Sequence, residues 1–297
     1  MHTKWVRRSL EKLQNELERR GLHVGRNVIR RLLRKHGIAP KSNVKHLSPK
    51  EHPDRDRQFE YIKGQRRRFQ NRQLPIISVD AKKKELIGPF KNPGRVWTLD
   101  APQVYTYDFP SDAQGKAIPF GIYDPSRNEG YVYVQSDADT ADFAVEAILR
   151  WWKAHGRRHY PSAKELLILA DGGGSNGYRS RRWKQQLQTR LVDPYGIAVT
   201  VCHYPPGASK WNPVEHRLFS QISQTWAGIP LTSLELILEL IRATKTKTGL
   251  IVHAEYVAGR FPLQQEVLDK EMASLLIQRH SVCPLWNYTI MPRKTGK

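Results

Sequence analysis

Two apolar runs, each ending in an aspartate, constrain the fold of this chain more than any other feature. The first run, PIISVD, ends at Asp80, and the second, ELLILAD, ends at Asp171. Unbroken apolar runs of this length are typical of strands that are buried on both faces of a sheet. Open α/β sheets carry their chemistry at the carboxyl ends of the strands, so both aspartates are candidates for a functional site.

A third carboxylate, Glu215, lies near the start of a predicted helix in the segment SKWNPVEHRLF. Leu218, Phe219 and Ile222 follow it at spacings of three, four and seven residues. This spacing places Glu215 on the helix face that is expected to pack on the sheet. An Asn–Pro pair starts the helix, which leaves open a second interpretation in which Glu215 only completes a capping box. The two aspartates have a similar alternative, as caps of the turns that follow them.

Three carboxylates that meet at one sheet edge repel one another. Two like charges about 4 Å apart cost about 1 kcal/mol in water and about 4 kcal/mol at an effective dielectric near 20. Mg²⁺ resolves such repulsion, and it prefers oxygen ligands. We therefore predict that Asp80, Asp171 and Glu215 are catalytic residues and ligands of two Mg²⁺ ions, for which Mn²⁺ can substitute. Asp100 and Asp108 are alternative first ligands, although neither follows a buried strand.

The chain carries a formal net charge of +21. Residues 1–74 hold 21 Lys and Arg against 7 Asp and Glu, which is +14 of that excess. This asymmetry indicates a nucleic-acid partner, with a basic surface kept only for solubility as the alternative. No apolar stretch approaches the roughly 20 residues of a membrane span, and the 2 isolated cysteines argue against a disulfide framework or a zinc site. We expect a cytoplasmic, nucleoid-associated bacterial protein with no membrane partner.

The first part of the chain resembles a small DNA-binding module. Two short amphipathic helices are predicted over residues 4–36, within a helix-turn-helix-like module of residues 1–40. The open face of the second helix is basic, as in a recognition helix that enters the major groove. A helical hairpin that only packs on the core is the alternative. The predicted DNA-binding residues of this face are Arg26, Asn27, Arg30, Arg31 and Arg34.

Two further groups of cations are predicted to contact DNA. Residues 41–74 are interpreted as a basic linker followed by a helix that lies along phosphates. Three lysines follow the Asp80–Ala81 pair, where they are equally compatible with phosphate contacts and with a solvated strand end. These two groups are Arg66, Arg67 and Arg68, and Lys82, Lys83 and Lys84.

The order of elements over residues 75–230 predicts the fold class. Three strands, a helix, a strand, a helix, a strand and a helix follow one another, which is the order of a ribonuclease-H-like α/β fold: a mixed sheet with helices on both faces. Residues 231–297 are interpreted as a C-terminal helical extension of this core. The run GGGSNG after Asp171 lets backbone approach a ligand closely, but it lacks the ending of a phosphate-binding loop. Three residues are predicted to surround the carboxylates and hold them in place without binding metal: Gly172, Asn176 and Asn212.

Five long blocks resemble the ISAzo-type insertion-sequence transposases of the D-D-E superfamily. The blocks are VDAKKKELIGPFKN, DFPSDAQGKAIPFGIYD, ADGGGSNGYRSRRWK, CHYPPGASKWNPVEHRLFS and WNYTIMPR. The resemblance implies a ribonuclease-H-like catalytic domain and Mg²⁺-dependent cleavage and joining of double-stranded DNA at transposon ends and target. The acidic triad of the family falls on Asp80, Asp171 and Glu215.

The same resemblance frames an alternative function. Members of the family usually have more sequence before the helix pair, so the DNA-binding module is expected to be incomplete. A truncated or domesticated remnant that binds DNA without cutting it is therefore the second hypothesis. For the active enzyme, a homo-oligomer assembled on DNA is the expected form.

Overall fold

The computed structural model of the chain describes residues 9–40 and 52–293. The chain divides into two compact units, Met1–Ser48 and Pro49–Lys297. No helix within the described ranges is long and apolar enough to cross a membrane.

The first unit contains two helices, α1 (Leu10–Arg19) and α2 (Arg26–Lys35). Ser9 caps α1 by accepting the backbone N–H of Lys12 at 3.2 Å, and residues 4–8 of the predicted first helix lie outside the described residues. Ile29 of α2 is buried, whereas Leu32 on the same apolar stripe is 47% exposed. The described helices of this unit therefore cover only part of their apolar surface.

The second unit begins with α3 (Arg55–Asn71), the basic helix of the sequence. Ile62 and Phe69 of α3 are buried against residues of the central sheet, including Ile76 and Leu167. The basic helix predicted within residues 41–74 is therefore α3, which packs on the sheet through one face, and its placement along phosphates stays a prediction. Its apolar side chains are few but correctly spaced, so the helix packs on the sheet and turns its cations outward.

The first six strands along the chain are β1 (Ile76–Ala81), β2 (Glu85–Ile87), β3 (Gly115–Asp124), β4 (Glu129–Gln135), β5 (Glu165–Ala170) and β6 (Ala198–His203). The central order is β4-β3-β1-β5-β6, with β2 paired to β3 outside this path. β1 is antiparallel to β3 and parallel to β5, and β5 is parallel to β6. This order and these directions are those of the predicted ribonuclease-H-like fold.

The C-terminal part of the chain adds strands to the same sheet. These are β7 (Ile251–Tyr256), β8 (Ile277–Arg279) and β9 (Asn287–Ile290). β7 extends the sheet beyond β4, and β9 and β8 extend it beyond β6. The predicted helical extension over residues 231–297 is therefore wrong: the segment covers both sheet edges, whose backbone groups would otherwise lack hydrogen-bond partners.

Helices cover both faces of the sheet. One face carries two long helices. The first is α4 (Ala141–Trp151), which continues as a π-helical segment Trp152–Gly156 and then as α5 (Arg157–His159). The second is α6 (Arg181–Gln186), which continues as a π-helical segment Leu187–Val192 and then as α7 (Asp193–Tyr195). The other face carries α3, a π-helical segment Val214–Phe219 that leads into α8 (Ser220–Thr225), and α9 (Leu234–Arg242). A short helix α10 (Asp269–Ala273) precedes β8. Side chains of β1 alternate between the two faces, since Ile77 and Val79 join one core cluster and Ile76 joins another.

The polar excursion predicted over residues 84–117 contains β2, a 3₁₀ turn (Pro110–Asp112) and a long loop. Trp97 and Leu99 in this loop are fully exposed. Asp100 and Asp108 are also exposed, so neither lies with the strand-end carboxylates.

Candidate active site

The three predicted carboxylates meet at one edge of the sheet. β1 and β5 are parallel neighbours with Val79 opposite Ala170, so Asp80 and Asp171, the next residues along each chain segment, lie side by side. Glu215 reaches the same place from the helical segment on the other side, close enough for its charge to raise the pKa of Asp80. Elements that lie between 44 and 135 residues apart in sequence thus place three acids together.

The charged state of this cluster is disfavoured. Burial, then the charge of Asp171, then that of Glu215 raise the pKa of Asp80 to about 8. Burial also raises the pKa of Asp171 to about 6; Glu215 contributes to this rise, and a hydrogen bond from Asn212 opposes it. A group of acids with these pKa values attracts either protons or a cation.

The helix that carries Glu215 lies close to the sheet because of a glycine. Gly121 of β3 pairs with Asp80. A Cβ at Gly121 would lie 2.5 Å from the ring of Phe219 and 3.0 Å from Val214. The missing side chain therefore gives the helix the space it needs to bring Glu215 to Asp80.

We predict that Gly121→Ala lowers cleavage activity as well as stability. The added methyl group forces the helix outward and overpacks the core, which costs about 1–3 kcal/mol. Gly115→Ala in the same strand is the matched control, because its Cβ would meet only Ile87 Cδ1, at an ordinary contact distance of 3.7 Å. Thermal unfolding and a DNA-cleavage assay on both variants provide the measurement. Equal activity of the two variants would contradict the prediction.

The alternative in which Glu215 serves only as a capping-box residue is contradicted by the backbone. In a capping box the glutamate side chain would accept the N–H of Asn212. That N–H instead donates to the carbonyl of Ser209 at 2.9 Å. The N–H of Val214, which has no partner within the helix because it lies at the helix start, donates to the hydroxyl of Ser78 at 2.9 Å. Glu215 is therefore available to the carboxylate cluster.

Of the three residues predicted to support the carboxylates, Asn212 contacts one directly. Its side chain is fully buried and donates to Asp171 Oδ1 at 3.0 Å. Gly172 lines a cavity of about 710 Å³ together with Asp80 and Asp171. Asn176 is also buried, but neither polar atom of its side chain has a hydrogen-bond partner among the described residues. Asn176 therefore supports no carboxylate through a hydrogen bond in this structure.

A buried hydrogen-bond chain that the sequence did not reveal holds the backbone of Asp171. His203 Nδ1 lies 2.9 Å from the Asp171 carbonyl, and His203 Nε2 lies 3.3 Å from the hydroxyl of Tyr288. Burial lowers the pKa of His203 to about 4, so the ring is neutral at physiological pH. Since a carbonyl only accepts, Nδ1 carries the proton and Nε2 accepts from Tyr288, which in turn accepts from Trp183 Nε1 at 3.1 Å. The sequence signal that could have identified His203 is its position as a polar residue at the end of an apolar strand.

The predicted DNA-binding lysines after β1 differ in their surroundings. Lys82 pairs with Glu85 and lies over the ring of Trp226, with its Nζ 4.6 Å from the ring centroid. Lys83 and Lys84 are exposed and form no ion pair within the part of the chain that the structure describes. The latter two remain candidates for phosphate contacts.

The arginines of α3 also differ. Arg68 forms an ion pair with Glu165 at 2.9 Å. Glu165 begins β5 and lies at the end of that strand opposite Asp171, so Arg68 is engaged away from the carboxylates. Arg67 is exposed, and Arg66 is half-buried.

All five predicted DNA-binding side chains of α2 are exposed. Arg26 contacts α1, with its guanidinium 3.5 Å from Glu11 and 3.3 Å from Gln14. A hydrogen bond of 3.5 Å joins Arg30 to Asn27. Arg31 and Arg34 form no ion pair within the described ranges, so they are the most open of the set.

A sequence model described as the Rhodopirellula transposase DDE domain matches residues 1–292. The chain belongs to this transposase family. The resemblance predicted from the five sequence blocks is thus confirmed, together with the D-D-E class and an enzyme that cleaves and joins DNA strands. No curated protein sequence matches the transposase.

Several solved structures are similar to the transposase over most of its length. The Mos1 transposase paired-end complex with left transposon end has 18% identity and a TM-score of 0.46, with 80% of this chain and 71% of that chain covered. The Mos1 mariner paired end complex with Mn has 15% identity and a TM-score of 0.46, with 80% and 72% covered. The Mos1 strand transfer complex has 18% identity and a TM-score of 0.45, with 80% and 71% covered.

The carboxylates of the transposase suit a hard divalent cation in their chemistry. No group of three or more His, Cys, Asp or Glu side chains in the described ranges is gathered closely enough to hold a metal ion. Mg²⁺ seldom occupies an all-protein cage and usually takes one or two carboxylates, with waters and substrate phosphates as its other ligands. The donor set therefore fits an ion that is shared with a bound nucleic acid.

The raised pKa of Asp80 predicts how pH changes the stability of the metal-free transposase. Folding favours the protonated acid, so the stability it contributes is present below pH 4 and is lost as the pH rises towards 8. Asp80→Asn removes this loss because an amide does not titrate, and each tenfold change in a protonation equilibrium corresponds to about 1.4 kcal/mol. We therefore expect the variant to exceed the wild type in Tm in EDTA by a margin that grows between pH 5.5 and pH 8.5.

The measurement is thermal unfolding at both pH values. Asp108→Asn is the matched control, because Asp108 is exposed and its substitution should leave the Tm difference independent of pH. Each kcal/mol shifts Tm by about 2–4 °C in a domain of this size, so the effect is measurable. A Tm difference for Asp80→Asn that does not change with pH would contradict the prediction.

Proposed function

We propose that this transposase binds the ends of its own insertion sequence and cuts and joins them with Asp80, Asp171 and Glu215 in the presence of two Mg²⁺ ions. One observation carries the proposal: a member of a transposase family brings three half-buried carboxylates together at the edge of a ribonuclease-H-like sheet. The family accounts for DNA strand cleavage and transfer, and the proximity of these three acids supports their assignment as the catalytic residues. Mn²⁺ is expected to replace Mg²⁺, because both accept oxygen ligands.

The residues of the chain divide the work between them. Asp80, Asp171 and Glu215 supply the anionic oxygens that would hold the ions, which when bound activate the attacking hydroxyl and stabilise the leaving oxygen of a phosphodiester. Asn212 and His203 hold Asp171 by its side chain and its backbone, respectively. Their hydrogen bonds reduce the freedom of the carboxylate before DNA arrives, which lowers the cost of ordering it.

The cations of the chain would bind the DNA itself. Lys83 and Lys84 lie on the segment that directly follows β1 and are open to phosphates of the strand being cut. We propose that Met1–Ser48 forms the end-recognition unit, with α2 as its reading helix, and that Pro49–Lys297 forms the catalytic unit. This division replaces the boundaries expected from sequence, because α3 packs with the sheet.

A cleavage assay tests this function. A labelled duplex that carries the end of the insertion sequence is incubated with the protein and Mg²⁺, Mn²⁺ or EDTA. The proposal predicts strand cleavage at the end with either ion and none in EDTA. Sequence-specific binding without cleavage under any of these conditions would instead support the non-catalytic remnant.

The role of α2 is testable through single arginines. We predict that replacing Arg31 or Arg34 by alanine weakens binding to the cognate end by about 1–3 kcal/mol, and binding to a scrambled duplex by much less, if the side chain reads a base. Arg19→Ala, at the exposed end of α1, is the matched control and should weaken both duplexes alike or neither. Binding titrations at several salt concentrations provide the measurement. Equal losses on both duplexes for Arg31 and Arg34 would show that α2 binds phosphates and reads no sequence.

A further inference from the structure

Ser78 is fully buried in β1, two residues before Asp80. Its hydroxyl accepts the backbone N–H of Val214 at 2.9 Å and also forms a hydrogen bond with the side-chain oxygen of Asn212. A serine hydroxyl has a single proton to donate. Because the N–H of Val214 can only donate, the hydroxyl proton of Ser78 goes to Oδ1 of Asn212.

The opposite side of the Asn212 amide is fixed in the same way. Its Nδ2 donates to the carbonyl of Val79 at 3.2 Å and to Asp171 Oδ1 at 3.0 Å. The Val79 carbonyl can only accept, so it requires the NH₂ group on this side. A flipped amide would place its oxygen against that carbonyl and against the Asp171 carboxylate, and would leave buried groups without partners. Two backbone groups therefore determine which way the Asn212 amide points. The Val79 carbonyl contacts the amide directly, and the Val214 N–H acts on it through the hydroxyl of Ser78.

We propose that Ser78 is a positioning residue for the cleavage reaction, which orients Asn212 and, through it, the carboxylate of Asp171. The pair joins the three elements that bear the acids: β1 with Asp80, the end of β5 with Asp171, and the helix of Glu215. Within the described ranges no hydrogen bond engages Asp171 Oδ2, so the pair fixes one oxygen and leaves the other for a cation. The inference rests on the proposed function, in which Asp171 binds metal.

The first test is the Mg²⁺ dependence of Ser78→Ala, measured both in DNA cleavage and as the Mg²⁺-dependent rise in the Tm of the protein–DNA complex. Residues that orient metal ligands typically change metal affinity by about 10–100-fold, so we expect the half-saturating Mg²⁺ concentration to rise by about tenfold or more. A residue with only a structural role would lower Tm and the active fraction without moving that concentration. Ser233→Ala is the matched control, because it removes a hydroxyl that accepts the N–H of Leu236 at 3.1 Å at the start of α9. It should lower Tm and leave the half-saturating Mg²⁺ concentration unchanged.

A double-mutant comparison tests whether Ser78 acts through Asn212. If it does, Asn212→Ala already removes the whole effect, and the double variant Ser78→Ala/Asn212→Ala should need no more Mg²⁺ than Asn212→Ala alone. Independent, multiplying shifts in the double variant would overturn the proposal. A half-saturating Mg²⁺ concentration equal to that of the wild type in Ser78→Ala would overturn it as well.

Asn212→Asp provides a second route if Ser78→Ala does not fold. It preserves shape and the acceptor that faces Ser78, but it replaces the NH₂ group with an oxygen that faces Asp171 and the Val79 carbonyl. The proposal predicts at least as large a rise in half-saturating Mg²⁺, and an unchanged value would overturn it. Asp171→Asn separates the two levels of inference. If it cleaves normally, the proposed function is wrong; if it is inactive while Ser78→Ala responds to Mg²⁺ like the wild type, only the role of Ser78 is wrong.

Discussion

Asp80→Asn, Asp171→Asn and Glu215→Gln should each reduce cleavage and strand transfer by about 10²–10⁴-fold while leaving DNA affinity nearly unchanged. Each substitution keeps the size of the side chain and removes an anionic oxygen. A lost metal ligand removes several kcal/mol of transition-state stabilisation, and each ~1.4 kcal/mol is a factor of ten in rate. The cations that bind DNA are untouched, so the binding step should survive.

The measurement is single-turnover cleavage of a duplex that carries the transposon end, alongside a binding titration in Ca²⁺ or EDTA. Asp100→Asn and Asp108→Asn are the matched controls, because both side chains are exposed on the loop after β2. They should cleave like the wild type. Near-normal cleavage by any of the three active-site variants would remove that residue from the triad, and loss of cleavage in a control would move a ligand into the loop.

Deletion of residues 1–48 should abolish most of the preference for the cognate end and flatten the salt dependence of binding. The segment holds 13 Lys and Arg against 3 Asp and Glu, so its removal takes away +10 of the net charge of +21. On duplex DNA, log K falls with log[salt] at roughly 0.9 per phosphate neutralised, so fewer contacts give a shallower slope. The structure sets the cut before α3, because removal of Ile62 and Phe69 would expose the sheet.

Titrations of cognate and scrambled duplexes over a range of salt concentrations measure both effects. Thermal unfolding of the deleted protein is the control, since Pro49–Lys297 forms a compact unit and should retain a cooperative transition. Mg²⁺-dependent nicking of non-specific DNA should persist at low salt, because the carboxylates lie outside the deleted segment. An unchanged ratio of cognate to scrambled affinity would place end recognition in the catalytic unit instead.

The amino-acid sequence by itself determined the layout of the three carboxylates to a large extent. Periodicity and run length predicted β1, β3, β4, β5 and β6 in the correct order, and with them the ribonuclease-H-like sheet. The same patterns placed Asp80 and Asp171 at strand ends, and the spacing of Leu218, Phe219 and Ile222 turned Glu215 towards the sheet. These predictions succeeded because burial of alternate or helically spaced side chains is a local property that sequence records directly.

Other features were decided only by the tertiary structure. The segment after residue 230 contains β7, β8 and β9, which were predicted as helical because short strands at or next to a sheet edge carry a weak pattern of their own. The packing of α3 on the sheet through Ile62 and Phe69 was not predicted, because the charge of this helix outweighs its few apolar residues. Arg68 and Lys82 were predicted to bind phosphates, and both are engaged by acids. Glu85 is only three positions from Lys82, whereas Glu165 is 97 positions from Arg68 and is brought to it by the fold.

The support of the active site shows the same division most clearly. The contacts that hold Asp171 join residues far apart in the chain: Asn212 lies 41 positions away and His203 lies 32 away, while Ser78 reaches Asn212 across 134. A buried serine inside an apolar strand has no periodic signature, since its hydroxyl is explained only by the partner that it meets. The sequence thus determined which residues are acidic, apolar and locally paired. The fold decided which polar groups face one another, because hydrogen-bond partners are set by three-dimensional proximity and the requirement that buried polar groups be satisfied.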